Sequence, residues 1–175
     1  KNEKVLSMEL KAAMQKALEF EKKGHDIYLD TSRKTANPMV RKTFTYLAEQ
    51  EINHIEEIRE YISQEHPDVG VIELKGDTLT KVKEFFKMTT KEFKQKTALS
   101  KDDIKAHETA LQLEQSAYDF YKQQHELAKD DKLKKFLKFL MMQENAHYQL
   151  IQNALEFIKD PVSFYSEEER WILEG

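Results

Sequence analysis

The chain has 175 residues, of which 39% are hydrophobic and 34% charged, a balance typical of one soluble domain with a single core. Its four glycines and three prolines are too few turn-forming residues for a barrel or sandwich of many short strands. The net charge of −4 argues against nucleic-acid binding, and the absence of cysteine excludes disulfides, iron–sulfur clusters and thiol nucleophiles.

Helix-capping residues and prolines divide the chain into four long predicted helices. Ser7 can cap a first helix that runs to about Lys34, and Asn37 followed by Pro38 opens a second that ends before Pro67. The later predicted segments are an extra helix at 78–96, a third long helix from a capping box at 100–103 to about 129, a fourth from Asp130 or Asp131 to Asp160-Pro161, and a short turn from Ser166.

The two halves of the sequence repeat each other at an offset of 93 residues. Short loops make the helices of each half antiparallel neighbours. We therefore predict an all-α, ferritin-like four-helix bundle of two repeated helical hairpins with one long crossover that contains the extra helix. The single domain covers residues 1–175, with repeat one at about 7–66, the crossover at 67–99, repeat two at about 100–160 and a tail at 161–175.

Each long helix has an apolar stripe of helical period with one glutamate near its middle, and two stripes add a histidine three residues later. Burying four carboxylates costs several kcal/mol per ion, whereas two divalent cations balance their charge. A single Glu-x-x-His arises by chance in many helical proteins, but the shared offset favours a dinuclear metal site. The predicted ligands are Glu21, Glu51, His54, Glu114, Glu144 and His147.

Two tyrosines, Tyr28 and Tyr121, follow a stripe glutamate by seven residues and so lie on the same helix face. They are either hydrogen-bond donors to ligand carboxylates, with a role in catalysis, or ordinary core tyrosines. His25 is interpreted as a histidine at the edge of the core, and His107 lies two turns before Glu114, too far along the helix for a ligand.

This arrangement resembles the ferritin-like superfamily and, within it, the diiron domain of the rubrerythrin family. The resemblance implies that the first helix of each hairpin supplies one glutamate ligand, that the second supplies a glutamate able to bridge the metals, and that each histidine is a terminal ligand. The motifs that carry it are Glu21 with Tyr28, Glu51-Ile-Asn-His54, Glu114 with Tyr121, and Glu144-Asn-Ala-His147.

The resemblance implies a non-haem diiron oxidoreductase that reduces hydrogen peroxide or O2 at two iron ions, with manganese or a mixed pair as alternatives. Without cysteine the chain lacks the rubredoxin-like domain, so we expect an external electron donor such as rubredoxin. Ala117 stands where typical rubrerythrins have a further glutamate. The competing functions are a ferroxidase of an iron-storage protein and a dimanganese peroxide dismutase. We expect a cytoplasmic homodimer that binds neither nucleic acid nor membrane, since no apolar run reaches a membrane span.

Overall fold

A computed structural model describes residues 8–63, 78–93 and 98–164, and almost all of these residues are helical. These ranges contain no strand, so the all-α prediction is confirmed. A further helical turn at residues 161–164 follows the last long helix. The helices are α1 (Met8–Lys34), α2 (Pro38–Ile62), α3 (Thr78–Glu92), α4 (Lys101–Leu127) and α5 (Asp131–Lys159).

The long helices pack as two hairpins, α1 with α2 and α4 with α5, and the hairpins meet through α1 against α4 and α2 against α5. The extra helix α3 lies along α5, and its Phe85 ring stacks on Tyr46 of α2 at a centroid distance of 4.1 Å. This is the predicted ferritin-like bundle with a helix in the crossover. Among the described residues, no helix combines the length and hydrophobicity that crossing a bilayer requires.

The loop between α1 and α2 is fixed by a buried asparagine cap. The Oδ1 atom of Asn37 accepts hydrogen bonds from the backbone N–H groups of Met39 and Val40, at 3.0 and 3.1 Å. Its Nδ2 atom donates to the carbonyl of Ala98 at 3.0 Å, which attaches this loop to the segment that enters α4. One side chain therefore caps α2 and joins the two hairpins.

Replacing Asn37 with Ala is expected to lower the free energy of unfolding by about 1–2 kcal/mol, because the helix cap and the bond to Ala98 are both lost. Thermal denaturation of the metal-free protein, followed by circular dichroism, measures this loss. Thr45→Ala, on the exposed side of α2, is the control and should change stability by less than about 0.5 kcal/mol. Equal losses in both variants would show that the cap has no special role.

The structure differs from the prediction at two helix boundaries. The extra helix ends at Glu92 and not at residue 96 as predicted. The next residue, Phe93, packs against the core and lies beneath the ammonium group of Lys42. The turn at 161–164 was not predicted; it begins where the Asp160 carboxylate accepts a hydrogen bond from the backbone N–H of Ser163. The predicted cap at residue 7 and the turn from residue 166 lie outside the described residues.

The core is divided into two apolar clusters along the bundle axis. On α2, for example, Leu47 belongs to the first cluster and Ile58 to the second, with Glu51 between them. The same order of apolar, polar and apolar residues recurs on the other three long helices, so a polar layer in the middle of the bundle is closed by hydrocarbon at both ends. The second cluster includes Met14, Ala17, Ile58, Tyr61, Ala117, Tyr121, Phe136, Leu137, Phe139 and Leu140.

Candidate metal centre

Six ionisable side chains form the polar layer between the two apolar clusters. One comes from α1, two from α2, one from α4 and two from α5, and none is more than 2% exposed to solvent. Groups of this kind are almost never fully buried unless they are paired or bind a cation. The six residues are Glu21, Glu51, His54, Glu114, Glu144 and His147, the complete set of predicted ligands.

The imidazole of His54 contacts three carboxylates. Its Nδ1 atom lies 3.0 Å from Oε2 of Glu21, 3.6 Å from Oε1 of Glu144 and 3.7 Å from Oε2 of Glu51. Because Glu144 belongs to the second hairpin, this half of the site is built by both repeats. The helix spacing places Glu51 and His54 on one face, and the packing of the hairpins supplies the other two carboxylates.

The second imidazole, His147, occupies the corresponding place in the other half. Its Nδ1 atom lies 3.2 Å from Oε1 of Glu51 and 3.7 Å from Oε2 of Glu114. The two imidazole rings stack at a centroid distance of 5.0 Å, inclined by 14°. Glu51 therefore contacts both imidazoles and lies between the two halves of the site.

The donor atoms are arranged as a divalent cation would require. Three groups of three residues each offer ligand atoms within 4.8 Å of one another, and they share members, so the site is one connected cluster. Buried polar atoms in proteins nearly always have hydrogen-bond partners, yet several atoms here have none. The atoms without partners in this layer are Oε1 of Glu51, Oε2 of Glu114, Oε1 of Glu144, Nε2 of His54, and both ring nitrogens of His147.

Oxygen and imidazole donors without partners fit divalent iron or manganese well, whereas a structural zinc site would more often contain cysteine. The six residues therefore fit the metal pair that the sequence predicts. No other type of side chain contributes to the three donor groups.

Burial and mutual repulsion divide the carboxyl groups into two kinds. Burial, together with the charge of Glu21, raises the pKa of Glu51 to about 7. Burial and the charges of Glu21 and Glu114 raise the pKa of Glu144 well above its usual range. For Glu21, burial acts in the opposite sense but is outweighed by a hydrogen bond with Glu51 and the charge of His54, which lower its pKa to about 2. Without a cation, Glu51 and Glu144 are therefore the carboxyl groups that hold protons.

The two histidines also hold protons when no cation is bound. Burial lowers the pKa of His147, but the nearby Glu114 carboxylate raises the value to about 9. The charge of Glu21 overcomes burial in the same way and raises the pKa of His54 well above its usual range. Two imidazolium groups thus balance two carboxylates, and protons neutralise the layer in place of metal ions.

The two tyrosines cross between the hairpins. The hydroxyl of Tyr28 on α1 donates to Oε1 of Glu114 on α4, and the hydroxyl of Tyr121 on α4 donates to Oε1 of Glu21 on α1. Burial raises the pKa of both phenols well above the usual value, so they remain protonated donors. The structure thus places both tyrosines against carboxylates of the metal layer, and the crossed pattern shows that α1 and α4 run antiparallel.

The two other histidines that the sequence analysis weighed lie elsewhere. His25 is half-buried, with Nδ1 3.0 Å from Oδ1 of Asp26. His107 is buried at the end of the bundle, where its Nδ1 atom lies 2.7 Å from the carbonyl oxygen of Asp103 and its ring meets Phe44 edge-on. Neither belongs to a potential metal-binding group of the described residues.

A small cavity adjoins the carboxylates and leaves about 10 Å³ for the centre of a water-sized molecule. Gly24 lies on this cavity, and the sequence analysis gave it no role. The signal was a glycine in a helix interior, at the position where the second repeat has Ala117. Neither His54 nor His147 is among the residues that line the space. Its walls are Phe20, Glu21, Gly24, Tyr28, Glu51, Leu113, Glu114, Ala117 and Glu144.

Comparison with known proteins supports the family resemblance of the sequence. Residues 13–155 match the family model described as Rubrerythrin, a range that includes all six donor residues and both tyrosines. Searches of curated proteins and of solved structures found no significant match. Because the family match covers most of the chain and both hairpins, the chain belongs to the rubrerythrin family of ferritin-like diiron proteins.

Proposed function

We propose that this protein is a non-haem diiron oxidoreductase that reduces hydrogen peroxide, or O2, with electrons from an external donor. The observation that carries the proposal is the connected cluster of buried carboxylates and imidazoles, with unpartnered donor atoms, beside a cavity of the size of one small molecule. Reduction of one peroxide consumes two electrons and two protons and yields two waters. A pair of ferrous ions, when bound, supplies the two electrons.

The residues assigned to the metals are divided between the two halves of the site. Glu21 with His54 would hold one ion and Glu114 with His147 the other, because each imidazole has its own nearby carboxylate. Glu51 and Glu144 are the two other carboxylates in the donor groups, and both ions would share them.

The surrounding residues exclude water and hold protons at fixed atoms. Phe20 and Leu113 form apolar parts of the cavity wall, and the space has room for about one water-sized molecule, which excludes bulk solvent. The hydroxyls of Tyr28 and Tyr121 keep a proton beside Oε1 of Glu114 and of Glu21, which fixes the orientation of those carboxylates.

The electron donor is expected to be a separate protein, such as a rubredoxin, because the chain has no cysteine with which to hold a rubredoxin-type iron. We also propose that the protein is a homodimer, and gel filtration of the iron-loaded protein measures its size in solution. A large hollow shell in the same experiment would favour the storage alternative.

The catalytic test uses protein loaded with Fe²⁺ without oxygen and then mixed with peroxide and an excess of reduced rubredoxin. We expect close to two iron ions per chain by elemental analysis and many turnovers, each oxidising two rubredoxins per peroxide consumed. Peroxide loss that needs no donor and releases O2 would instead indicate a dismutase. A single stoichiometric oxidation followed by iron accumulation would indicate a ferroxidase. Either result would overturn the proposal.

A further inference from the structure

Gly24 lies in the interior of α1, one turn after Glu21, and is fully enclosed by neighbouring residues. A Cβ atom built at this position would lie 3.3 Å from Cδ of Glu51 and 3.4 Å from its Cγ and Oε2 atoms. The 3.3 Å distance is tighter than most real Cβ contacts and the 3.4 Å distances lie at the edge of the ordinary range, so the Glu51 side chain would have to shift by a few tenths of an ångström. A Cβ atom at position 24 would therefore be crowded by the Glu51 side chain.

Helix formation does not explain this glycine. The backbone of residue 24 is α-helical, a conformation that every L-residue adopts readily, and glycine in a helix interior is less stable than alanine. The feature that distinguishes this position is the close approach of the Glu51 side chain.

The other repeat provides an internal comparison. The position equivalent to Gly24 is Ala117, which lines the same cavity beside Glu144. The two halves of the metal layer consequently differ by one methyl group next to the shared carboxylates. Glu51 has little freedom to accommodate an added methyl, because it already contacts the imidazoles of His54 and His147 at 3.7 and 3.2 Å.

We propose that Gly24 is a positioning residue whose missing Cβ allows the Glu51 carboxylate to lie between both imidazoles and thereby sets the affinity of the metal pair. The inference rests on the proposed function only in taking the six residues as metal ligands. Donor distances in metal sites are matched to within about 0.2 Å, so a displacement of a few tenths of an ångström at a shared ligand should weaken binding.

The test is a calorimetric titration of the metal-free protein with Mn²⁺, which is stable in air. The wild-type protein should bind two Mn²⁺ ions per chain. Gly24→Ala should lower the affinity for at least one of them by about tenfold, because displacing a direct ligand costs at least as much as losing an outer-shell partner. The matched control is Lys23→Ala on the exposed side of α1, which adds no atom and should leave both affinities within about threefold of wild type. Two Mn²⁺ bound to Gly24→Ala with wild-type affinities would overturn the positioning role alone. A wild-type protein that binds neither Mn²⁺ nor Fe²⁺ would overturn the proposed function as well.

A thermodynamic cycle on the metal-free protein isolates the contact and still applies if Gly24→Ala is poorly folded. In the Glu51→Ala background the added methyl meets no carboxylate, so Gly24→Ala should raise the melting temperature, as expected for a better helix former. In the wild-type background the same change should lower the melting temperature or leave it unchanged. Equal changes in the two backgrounds would show that residue 24 and Glu51 are not coupled, and the inference would be wrong.

Discussion

Replacing both Glu51 and Glu144 with Gln is expected to abolish binding of the metal pair. In the proposed site the two carboxyl groups would be shared between the two halves, and Gln keeps their shape while removing their charge. Two divalent ions would then face only two carboxylates, leaving an uncompensated charge of about +2 in a layer closed by apolar clusters. Loss of an outer-shell partner alone weakens metal binding about 10- to 100-fold, so loss of both shared charges should exceed roughly 1000-fold.

Elemental analysis and Mn²⁺ titration measure this loss, and the melting temperature of the metal-free variant shows that the bundle is intact. The matched control replaces two exposed glutamates, Glu60 on α2 and Glu108 on α4, with Gln, which removes the same charge from the surface. The control should retain two metal ions per chain. Retention of both metals by the Glu51→Gln/Glu144→Gln variant would refute the assignment of the shared ligands.

The fold was predictable because each helix carries its own signals. A stripe of helical period, a capping residue and a following proline are local features, and they place Glu51 and His54 on one face of α2 without any knowledge of its neighbours. The repeat offset then indicates that two such helices are equivalent. The convergence of six residues follows from local periodicity applied twice.

Contacts between helices were harder to predict from the sequence. Periodicity places Tyr28 on the same face as Glu21, but it does not define how far α1 slides along α4. The hydroxyl in fact reaches Glu114, seven residues before Tyr121 and on the other hairpin. Relative register depends on how side chains of both helices interdigitate, which a single-helix pattern does not contain.

The turn at 161–164 was missed although its signal was present. Asp160 followed by Pro161 repeats the pattern of Asn37 followed by Pro38, a cap and a proline in the first helical position. The pattern was interpreted as the end of α5 and not also as the start of another turn. The Phe164 ring then packs on Phe86 and Phe157, with centroids 5.4 and 5.6 Å away, so tertiary contacts stabilise a turn too short to be stable alone.

The metal-free protein is expected to lose stability as the pH rises from 7 to 9. His147 has a folded pKa of about 9 against a usual value of 6.5, so its stabilising contribution is complete below 6.5 and is lost as the pH passes 9. His54 and Glu144 also have raised pKa values and act in the same direction. The pKa of Glu21 is lowered to about 2, so its stabilising contribution is complete above pH 4.5 and is lost only in acid. This contribution is therefore constant between pH 7 and 9. His107, whose pKa is lowered by burial, is neutral in both states there.

Each group that stays protonated only in the folded state lowers the free energy of unfolding by about 1.4 kcal/mol per pH unit. Between pH 7 and 9 His147 alone should lower the melting temperature by on the order of 10 °C, and His54 and Glu144 should add to this in the same direction. Bound metal replaces these protons, so Mn²⁺ should raise the melting temperature more at pH 8 than at pH 7. Melting curves of chelator-treated and Mn²⁺-loaded protein at pH 7, 8 and 9 measure both effects, with the Glu60→Gln/Glu108→Gln variant as the control for surface charge. A metal-free melting temperature that rises over this range would mean that the buried layer does not hold its protons, and the charge balance that favours two cations would lose its physical basis.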